Sequence, residues 1–363
     1  MRFIAAVLVF FHHVIWLNVF AEAGTAAGYR TLFINAGHAG VSFFFVLSGF
    51  ILTVSARDSD TLPHFYRRRF FKIYPNHLVT FGLGLVIIAG AASHGVLANL
   101  LLVQAWVPDY GVIFSVDPPS WSLSCELLFY LAFPFLLKAV RRIPVERLWW
   151  WAGGVVVAIL AVTVLAGLLL PSTPTMPDGQ PLSMTQFWVV YVLPPVRALD
   201  FVLGMLVAAL ALNGRWVGLR LLPASVLFVV VYLAATQLPY IYGLTAATIV
   251  PLALLVPAAA YADADGTASV LRGRVMTWLG EISFAFYLVH VLVMIGGRPL
   301  FGETALFSGP VASLVILANL AAAIVAAWLL YVLVERPMMR RFSSPRRGRA
   351  VAPEPVPAAQ GAV

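Results

Sequence analysis

The sequence predicts an all-α protein: a polytopic bundle of about ten membrane-spanning helices with both termini in the cytoplasm. Three observations carry this. Of the 363 residues 61% are hydrophobic and 10% charged, with a mean hydropathy of +0.93, whereas a soluble domain carries about 25% charged residues. Apolar runs recur along the chain, many of them about the 20 residues that cross a bilayer. With the N-terminus inside, the inner segments hold 20 of the 23 Lys and Arg residues, which is the positive-inside pattern.

The first span covers 3–20. It is not a cleavable signal, because it lacks a small-residue exit site, contains His12 and His13, and precedes further spans. Arg2 and His13 are eleven residues apart; eleven steps of about 100° return nearly to one azimuth and rise about 16 Å. Arg2 therefore falls at a membrane surface and His13 on the same face near mid-bilayer, where an ionisable group is read as functional.

The second span, 40–56, holds Ser48 and Gly49, small residues that let helices approach closely. The inner loop after it carries Arg67, Arg68, Arg69 and Lys72. It is either a plain positive-inside anchor or a phosphate site, since Arg69 and Lys72 share a face at a spacing of three. The third span is 77–92. The fourth, 121–138, opens Trp121-Ser-Leu-Ser-Cys-Glu126, and Ser122, Glu126, Phe129 and Tyr130 share one helical face. A carboxylate there must be protonated, paired or facing water; an interhelical hydrogen bond and a functional role are both open. Cys125 is the one cysteine, which excludes an intramolecular disulfide and a multi-cysteine metal site. It reads as a small helix residue rather than an acyl-thioester nucleophile.

The fifth span, 149–170, has no candidate group. The sixth, 195–212, opens with Arg197 and Asp200, which pair at i, i+3. They form either a helix-mouth ion pair or an acceptor-recognition site at the outer face. The seventh and eighth spans are 221–237 and 241–261. The ninth, 276–295, sets Tyr287 and His290 on one face, with His290 at a depth compatible with His13 and Glu126. The tenth, 308–334, leads to Glu335 and Arg336, read as the cap of an inner helix end. Residues 343–363 are Arg-, Pro- and Ala-rich and aperiodic, a disordered cytoplasmic tail behind one membrane domain, 1–342. The net charge of +8 is topology and contact with anionic membrane lipids. Its spread over all the inner loops speaks against nucleic acid.

Five segments, in order, resemble the integral-membrane acyltransferase family 3: Arg2-x10-His13, Phe44-Phe-Val-Leu-Ser-Gly-Phe50, Arg69-Phe-Phe-Lys-Ile-Tyr-Pro75, Trp121-Ser-Leu-Ser-Cys-Glu126 with Phe129-Tyr130, and Ile282-Ser-Phe-Ala-Phe-Tyr-Leu-Val-His290. Arg197-x-x-Asp200-Phe-x-x-Gly204 and Glu335-Arg-Pro add weaker support. The resemblance spans about residues 2–337. The chain departs from the family in two ways. The basic motif is usually Arg-x-x-Arg, and here it ends in Lys72. Family members also carry a short segment before their first arginine, which leaves open a start upstream of Met1.

The resemblance implies transfer of an acyl group, usually acetyl, from acyl-CoA to a hydroxyl of a sugar or glycosylated acceptor, with no metal. Arg2, Arg67, Arg68, Arg69 and Lys72 would hold the CoA phosphates from inside. His13 would be the general base, Glu126 would orient it or hold the acceptor, and Tyr287 and His290 would donate to the oxyanion. Trp121, Ser122, Tyr130, Arg197 and Asp200 would meet a glycan or glycoside from outside. A ping-pong route through an acyl-histidine stays open. A bacterial inner membrane is the expected location, from an Ala-, Val- and Arg-rich composition. The main rival is a proton-coupled secondary transporter, which also uses intramembrane His and Glu, though no inverted repeat is visible. A membrane scaffold is the third reading, and it leaves His13, His290 and Glu126 without a reason.

Overall fold

The computed structural model describes residues 1–57, 60–88, 94–266, 269–302 and 304–342; the tail assigned to 343–363 lies outside the described residues. In order the helices are α1 (Arg2–Leu17), α2 (Ala23–Phe33), α3 (Ala36–Val54), α4 (Leu62–Ile87), α5 (Val96–Leu100), α6 (Tyr110–Ile113), α7 (Trp121–Arg141) and α8 (Leu148–Leu169). They continue with α9 (Met184–Phe187), α10 (Pro194–Leu212), α11 (Leu221–Ala235), α12 (Tyr240–Gly243), α13 (Ile249–Ala264), α14 (Arg274–Phe301), α15 (Gly309–Leu330) and α16 (Arg336–Phe342). Among the described residues the only extended pairings are isolated bridges, Phe20 with Phe307 and Thr175 with Ser183.

Helix falls at all ten expected positions, but not every helix has the length of a span. Among the described residues, seven are long and apolar enough to cross a membrane. The other three, α1, α11 and α13, have 16, 15 and 16 residues, short of the roughly 20 a bilayer needs. Large apolar side chains stand exposed around the bundle, such as Trp150, Leu168, Leu222 and Leu333, as lipid contact requires.

Three boundaries differ from expectation. α4 starts at Leu62, with Pro63 in its first turn, where a missing N–H removes no bond. Arg67, Arg68, Arg69 and Lys72 therefore lie on a helix and not in a loop. The eighth segment becomes helical only at Ile249, after short α12 and a turn. Glu335 does not end a helix. The chain passes through a π-turn, Tyr331–Glu335, and continues as α16. Pro337 follows that wider turn, which suits a residue that cannot make the normal helical bond.

Packing divides the molecule into two apolar cores. One is built on α3, α7, α8, α10 and α13; the other joins α1, α14 and α15. Within the first, α3 and α10 cross in contact. A Cβ added to Gly49 would sit 2.0 Å from the Phe201 carbonyl oxygen, and one on Gly204 2.0 Å from that of Val46. The close approach read from Gly49 is thus a reciprocal glycine crossing, and Ala or larger at either site overpacks it. α1 lies on the seam. Its Ala5 and Val9 belong to the first core, and its Phe3, Ala6, Phe10 and Val14 to the second. Residues that converge on this seam come from α1, α3, α7 and α14.

Candidate active site

His13 and His290, far apart in sequence, meet across the seam. His290 Nδ1 lies 2.7 Å from the Tyr287 carbonyl oxygen and 3.1 Å from that of Phe286. Carbonyls only accept, so Nδ1 carries the proton and Nε2 has a free lone pair. His290 Nε2 is 3.0 Å from His13 Nδ1, which is also 2.9 Å from the Val9 carbonyl oxygen. His13 Nδ1–H is therefore the donor to both. This assignment leaves His13 Nε2 unprotonated, the state a general base needs.

His13 lines a narrow cavity of about 40 Å³, room for a water or two, with His12, Trp16, His38, Trp121 and Tyr287 among its walls. The T-shaped contact of Trp16 with His13 has a centroid separation of 4.5 Å. His12 donates through Nδ1 to the Ile34 carbonyl oxygen at 2.8 Å. His38, buried at 3% exposure, packs at a tilt against His12 with ring centroids 5.0 Å apart, and its Nδ1 has no partner. Asp178 and Gln180 close the cavity from the 171–183 segment. Burial raises the Asp178 carboxyl above its usual range, opposed by the Gln180 N–H and by nearby Arg30.

Tyr287 separates this cavity from a second. Its hydroxyl donates to Ser122 Oγ at 2.9 Å, and Ser122 donates on to the Pro119 carbonyl oxygen at 3.1 Å. The second cavity is lined by Arg2, Val41, Phe44, Ser122, Glu126 and Tyr287. Glu126 accepts from the Tyr130 hydroxyl at 3.1 Å, and Arg2, Lys72 and Arg69 act on it electrostatically. A third, wider cavity of about 500 Å³ is lined by Arg2, Lys72, Glu281, Glu335, Arg336 and Arg340. Neighbouring cavities share walls: Arg2 joins the third to the second, and Val41 and Tyr287 join the second to that of His13. The string runs from a basic mouth to an imidazole.

The basic residues of α4 divide by partner. Arg68 is paired with Asp60, and Lys72 donates to Glu335, which also accepts from Asn76 Nδ2 at 2.8 Å. Glu335 is 2% exposed. Arg69 lies over the rings of Phe65 and Tyr130. Among the described residues Arg2, Arg67 and Arg69 have no acidic partner, and their Nε atoms are buried without a hydrogen bond.

Other expected residues stand elsewhere than the sequence reading put them. Arg197 and Asp200 form the expected ion pair in the first turns of α10, but it is buried rather than open. Each is 1% exposed, and they pair at 2.7 Å. Arg197 also donates to Ser42 Oγ at 2.8 Å and lies between the rings of Phe45 and Tyr191. Aromatic faces and a carboxylate hold the guanidinium in the first core, with its Nε buried without a hydrogen bond. Glu126 does not touch His13; His290 does. Cys125 is fully buried and donates to the Val192 carbonyl oxygen.

Sequence reasoning missed a polar network under the Pro118–Ser120 turn. Thr80 donates to Asp117 Oδ2 at 2.8 Å. Asn99 and Gln104 donate to Ser120 Oγ at 3.1 and 3.2 Å, and Ser120 donates to the Asp117 carbonyl at 2.6 Å. These residues are 0% exposed, and they fix the turn whose carbonyl receives the Ser122 and Tyr287 relay. A cluster of Asp, Asn, Gln and Ser with no period in a connecting segment gives no signal of burial.

The chain matches a family model described as an acyltransferase domain over residues 1–332. It is 42% identical to acyltransferase MdmB of Streptomyces mycarofaciens over 370 aligned positions, covering 98% of this chain and 94% of that protein. It is 31% identical to exopolysaccharide production protein ExoZ of Rhizobium meliloti, covering 84% of this chain and 90% of that protein. Nodulation protein 10 of Rhizobium leguminosarum is 29% identical over 44% of this chain and 47% of its own length. No solved structure matches the chain.

Proposed function

The chain belongs to the acyltransferase domain family, acyltransferase family 3, and from that premise we propose that it transfers an acyl group, acetyl in the first instance, from acyl-CoA to a hydroxyl of a sugar or glycosylated acceptor. The observation that carries this is the string of cavities from the Arg2 mouth to His13. Acyl-CoA is a long, anionic thioester. Its phosphates suit the unpaired guanidinium groups of Arg2, Arg67 and Arg69, and its pantetheine arm would follow the line of Glu126 and Tyr287, where the second cavity, about 40 Å³, must widen to admit it.

His13 Nε2 takes the proton of the acceptor hydroxyl as its oxygen attacks the thioester carbonyl carbon. The C–S bond breaks, and His13 returns the proton to the leaving thiolate. His290 holds the His13 tautomer by accepting from Nδ1 and stabilises the imidazolium that forms. Tyr287 and Ser122 stand at the joint between the cavities, where a hydroxyl can turn toward the developing oxyanion. Glu126, beside Arg2 and Tyr130, shapes the donor channel. Two of the relatives are named for acyl transfer and for exopolysaccharide production, which fits a glycan or glycoside acceptor. The multi-pass bundle and its basic mouth fit a cell membrane with that mouth in the cytoplasm.

Purified protein in liposomes, given radiolabelled acetyl-CoA and a panel of glycosides, tests the reading. Acetyl-CoA-dependent labelling of a glycoside, lost in His13→Ala, is expected. Proton-coupled uptake of solute with no acyl transfer would instead favour the transporter.

A further inference from the structure

At the end of the bundle that carries Arg2, a recess lies apart from the basic mouth. It holds about 1170 Å³ and is lined by Trp216, Arg220, Leu222, Tyr261, Asp265 and Leu271 among others. The connection after α10, the first turn of α11 and the last turns of α13 form its walls. Met1 packs in one apolar cluster with Trp216, Leu219 and Leu221, which puts the recess at the inner end under the proposed topology. Its lining shares no residue with the cavities of Arg2, Glu126 and His13, so acyl transfer gives it no occupant.

Helix length gives a reason for a recess here. α11 and α13 have 15 and 16 residues. At 1.5 Å per residue that is about 22–24 Å of helix, against a hydrocarbon core of about 30 Å. Beside a helix shorter than the core the bilayer thins, and headgroups descend. Trp216 and Tyr261 form a shelf at the recess, with rings 14° from parallel and centroids 6.4 Å apart. The Tyr261 hydroxyl donates to the Ala211 carbonyl oxygen at 3.1 Å, which fixes that ring. Amphipathic rings of this kind sit at headgroup depth. From the recess Leu222, Val226, Val229 and Leu233 climb one face of α11 at i, i+4, i+7 and i+11. All four are exposed, a track on which an acyl chain can lie.

Charge then selects the headgroup. Arg220 and Asp265 are the two charged residues of the lining. Among the described residues neither has an ion-pair partner, whereas neighbouring Asp263 is paired with Arg272 at 3.3 Å. Two opposite charges that line one recess without meeting suit a ligand that carries both. A phosphate matches the guanidinium fork, and a primary ammonium brings three N–H donors to a carboxylate. A phosphate with only hydroxyls on its headgroup would leave Asp265 beside a second negative charge. We infer that this recess binds an aminophospholipid of the phosphatidylethanolamine type, with its phosphate on Arg220, its ammonium on Asp265 and an acyl chain along α11. The lipid fills the gap beside the two short helices. This site stands independently of the acyl-transfer reading.

Native mass spectrometry tests it, with the full-length protein in detergent offered equal amounts of phosphatidylethanolamine, phosphatidylglycerol and phosphatidylcholine of the same acyl chains. The wild type is expected to retain phosphatidylethanolamine about fivefold over either rival, the size of one partly exposed ion pair. Phosphatidylcholine carries the same charges but no ammonium N–H, so it separates hydrogen bonding from charge. Asp265→Asn is expected to bring phosphatidylethanolamine and phosphatidylglycerol within about twofold of each other, and Arg220→Ala to weaken retention of all three. Both side chains are exposed, so an unchanged melting temperature in lipid-free detergent is expected for each variant. Equal retention of the three lipids by the wild type, preference for phosphatidylglycerol, or a preference that survives Asp265→Asn overturns the site. Free phosphoethanolamine that binds as tightly as the lipid also overturns it, because the α11 track then has no part.

Discussion

At His13, the direction of two hydrogen bonds decides which nitrogen can act. Both carbonyls near His290 Nδ1 fix a proton there, and His13 Nδ1–H must then point at His290. His13→Ala removes the base, and kcat is expected to fall by about 10²–10⁴-fold, the usual worth of a general base. His290→Ala only frees the ring of His13 to turn. It is expected to lower kcat by less, without changing the acetyl-CoA KM, in the same assay. A KM change of tenfold in His290→Ala would instead put that ring in the donor site. The sequence showed Arg2, His13 and His290 as candidates through depth and spacing. It did not show that His290 orients His13, because that contact joins α1 to α14 and depends on tertiary packing. The same limit applies at α4, where Arg69 and Lys72 look like one motif. Lys72 is tied to buried Glu335, whereas Arg69 has no ion-pair partner and lies over the Phe65 and Tyr130 rings, acting on Glu126 only at longer range. Lys72→Ala leaves a buried carboxylate with Asn76 alone and is expected to cost about 3 kcal/mol, the lower end for breaking a buried pair given partial exposure of the lysine. Lys72→Arg keeps the charge. Arg69→Ala is expected to raise the acetyl-CoA KM about tenfold, roughly 1.4 kcal/mol, with little change in melting temperature. A lower melting temperature in Arg69→Ala, with the KM unmoved, would make both residues structural.

Among the elements, the 94–120 segment does the work that its sequence hides. It forms short helical turns around Asn99, Gln104 and Ser120 and holds the Pro118–Ser120 turn in place. Its Asp117 sits at the centre. Burial pushes this carboxyl up to about 7, with the Thr80 hydrogen bond pulling the other way. A raised folded-state value means that the native protein holds the proton more tightly than the unfolded chain. The protonated carboxyl therefore favours folding at low pH, and that contribution is lost as pH rises from about 4 through about 7. Asp117→Asn keeps an oxygen for Thr80 and removes the titration. Melting in detergent should show the Asn variant gaining on the wild type between pH 5 and pH 8. Parallel curves across that range would mean that Asp117 ionises at its ordinary value. Contrast the long helices, whose positions the sequence foretold because apolar runs and helical spacing survive in one dimension. Gly49 was legible as a close-approach residue for the same reason. Its partner carbonyl on α10, and the reciprocal Gly204, needed the packed bundle.

For the whole molecule, the question is which way the string of cavities crosses the membrane. Both ends of the described chain reach one end of the bundle, since Arg2 and Arg340 line one cavity. Ten spans were expected from the sequence; among the described residues seven helices have the length and hydropathy of a span, and α1, α11 and α13 are shorter. Under the proposed topology this cavity faces the inner side, where the positive-inside rule puts basic residues. A cavity of about 560 Å³, lined by Trp16 and Leu17 among others, lies at the opposite end of α1. A donor at the Arg2 end and an acceptor at the other, as proposed, would make the reaction vectorial, with His13 as the meeting point. Vesicles holding the protein in one known orientation test this. Labelled acetyl-CoA offered on the side of Arg2 should acylate an impermeant glycoside enclosed on the other side, and reversing the two substrates should give no product. Transfer only when both substrates share the Arg2 side would refute the crossing. The tautomer of His13 would stand in either case, because it depends on contacts within the seam and not on the direction from which the hydroxyl arrives.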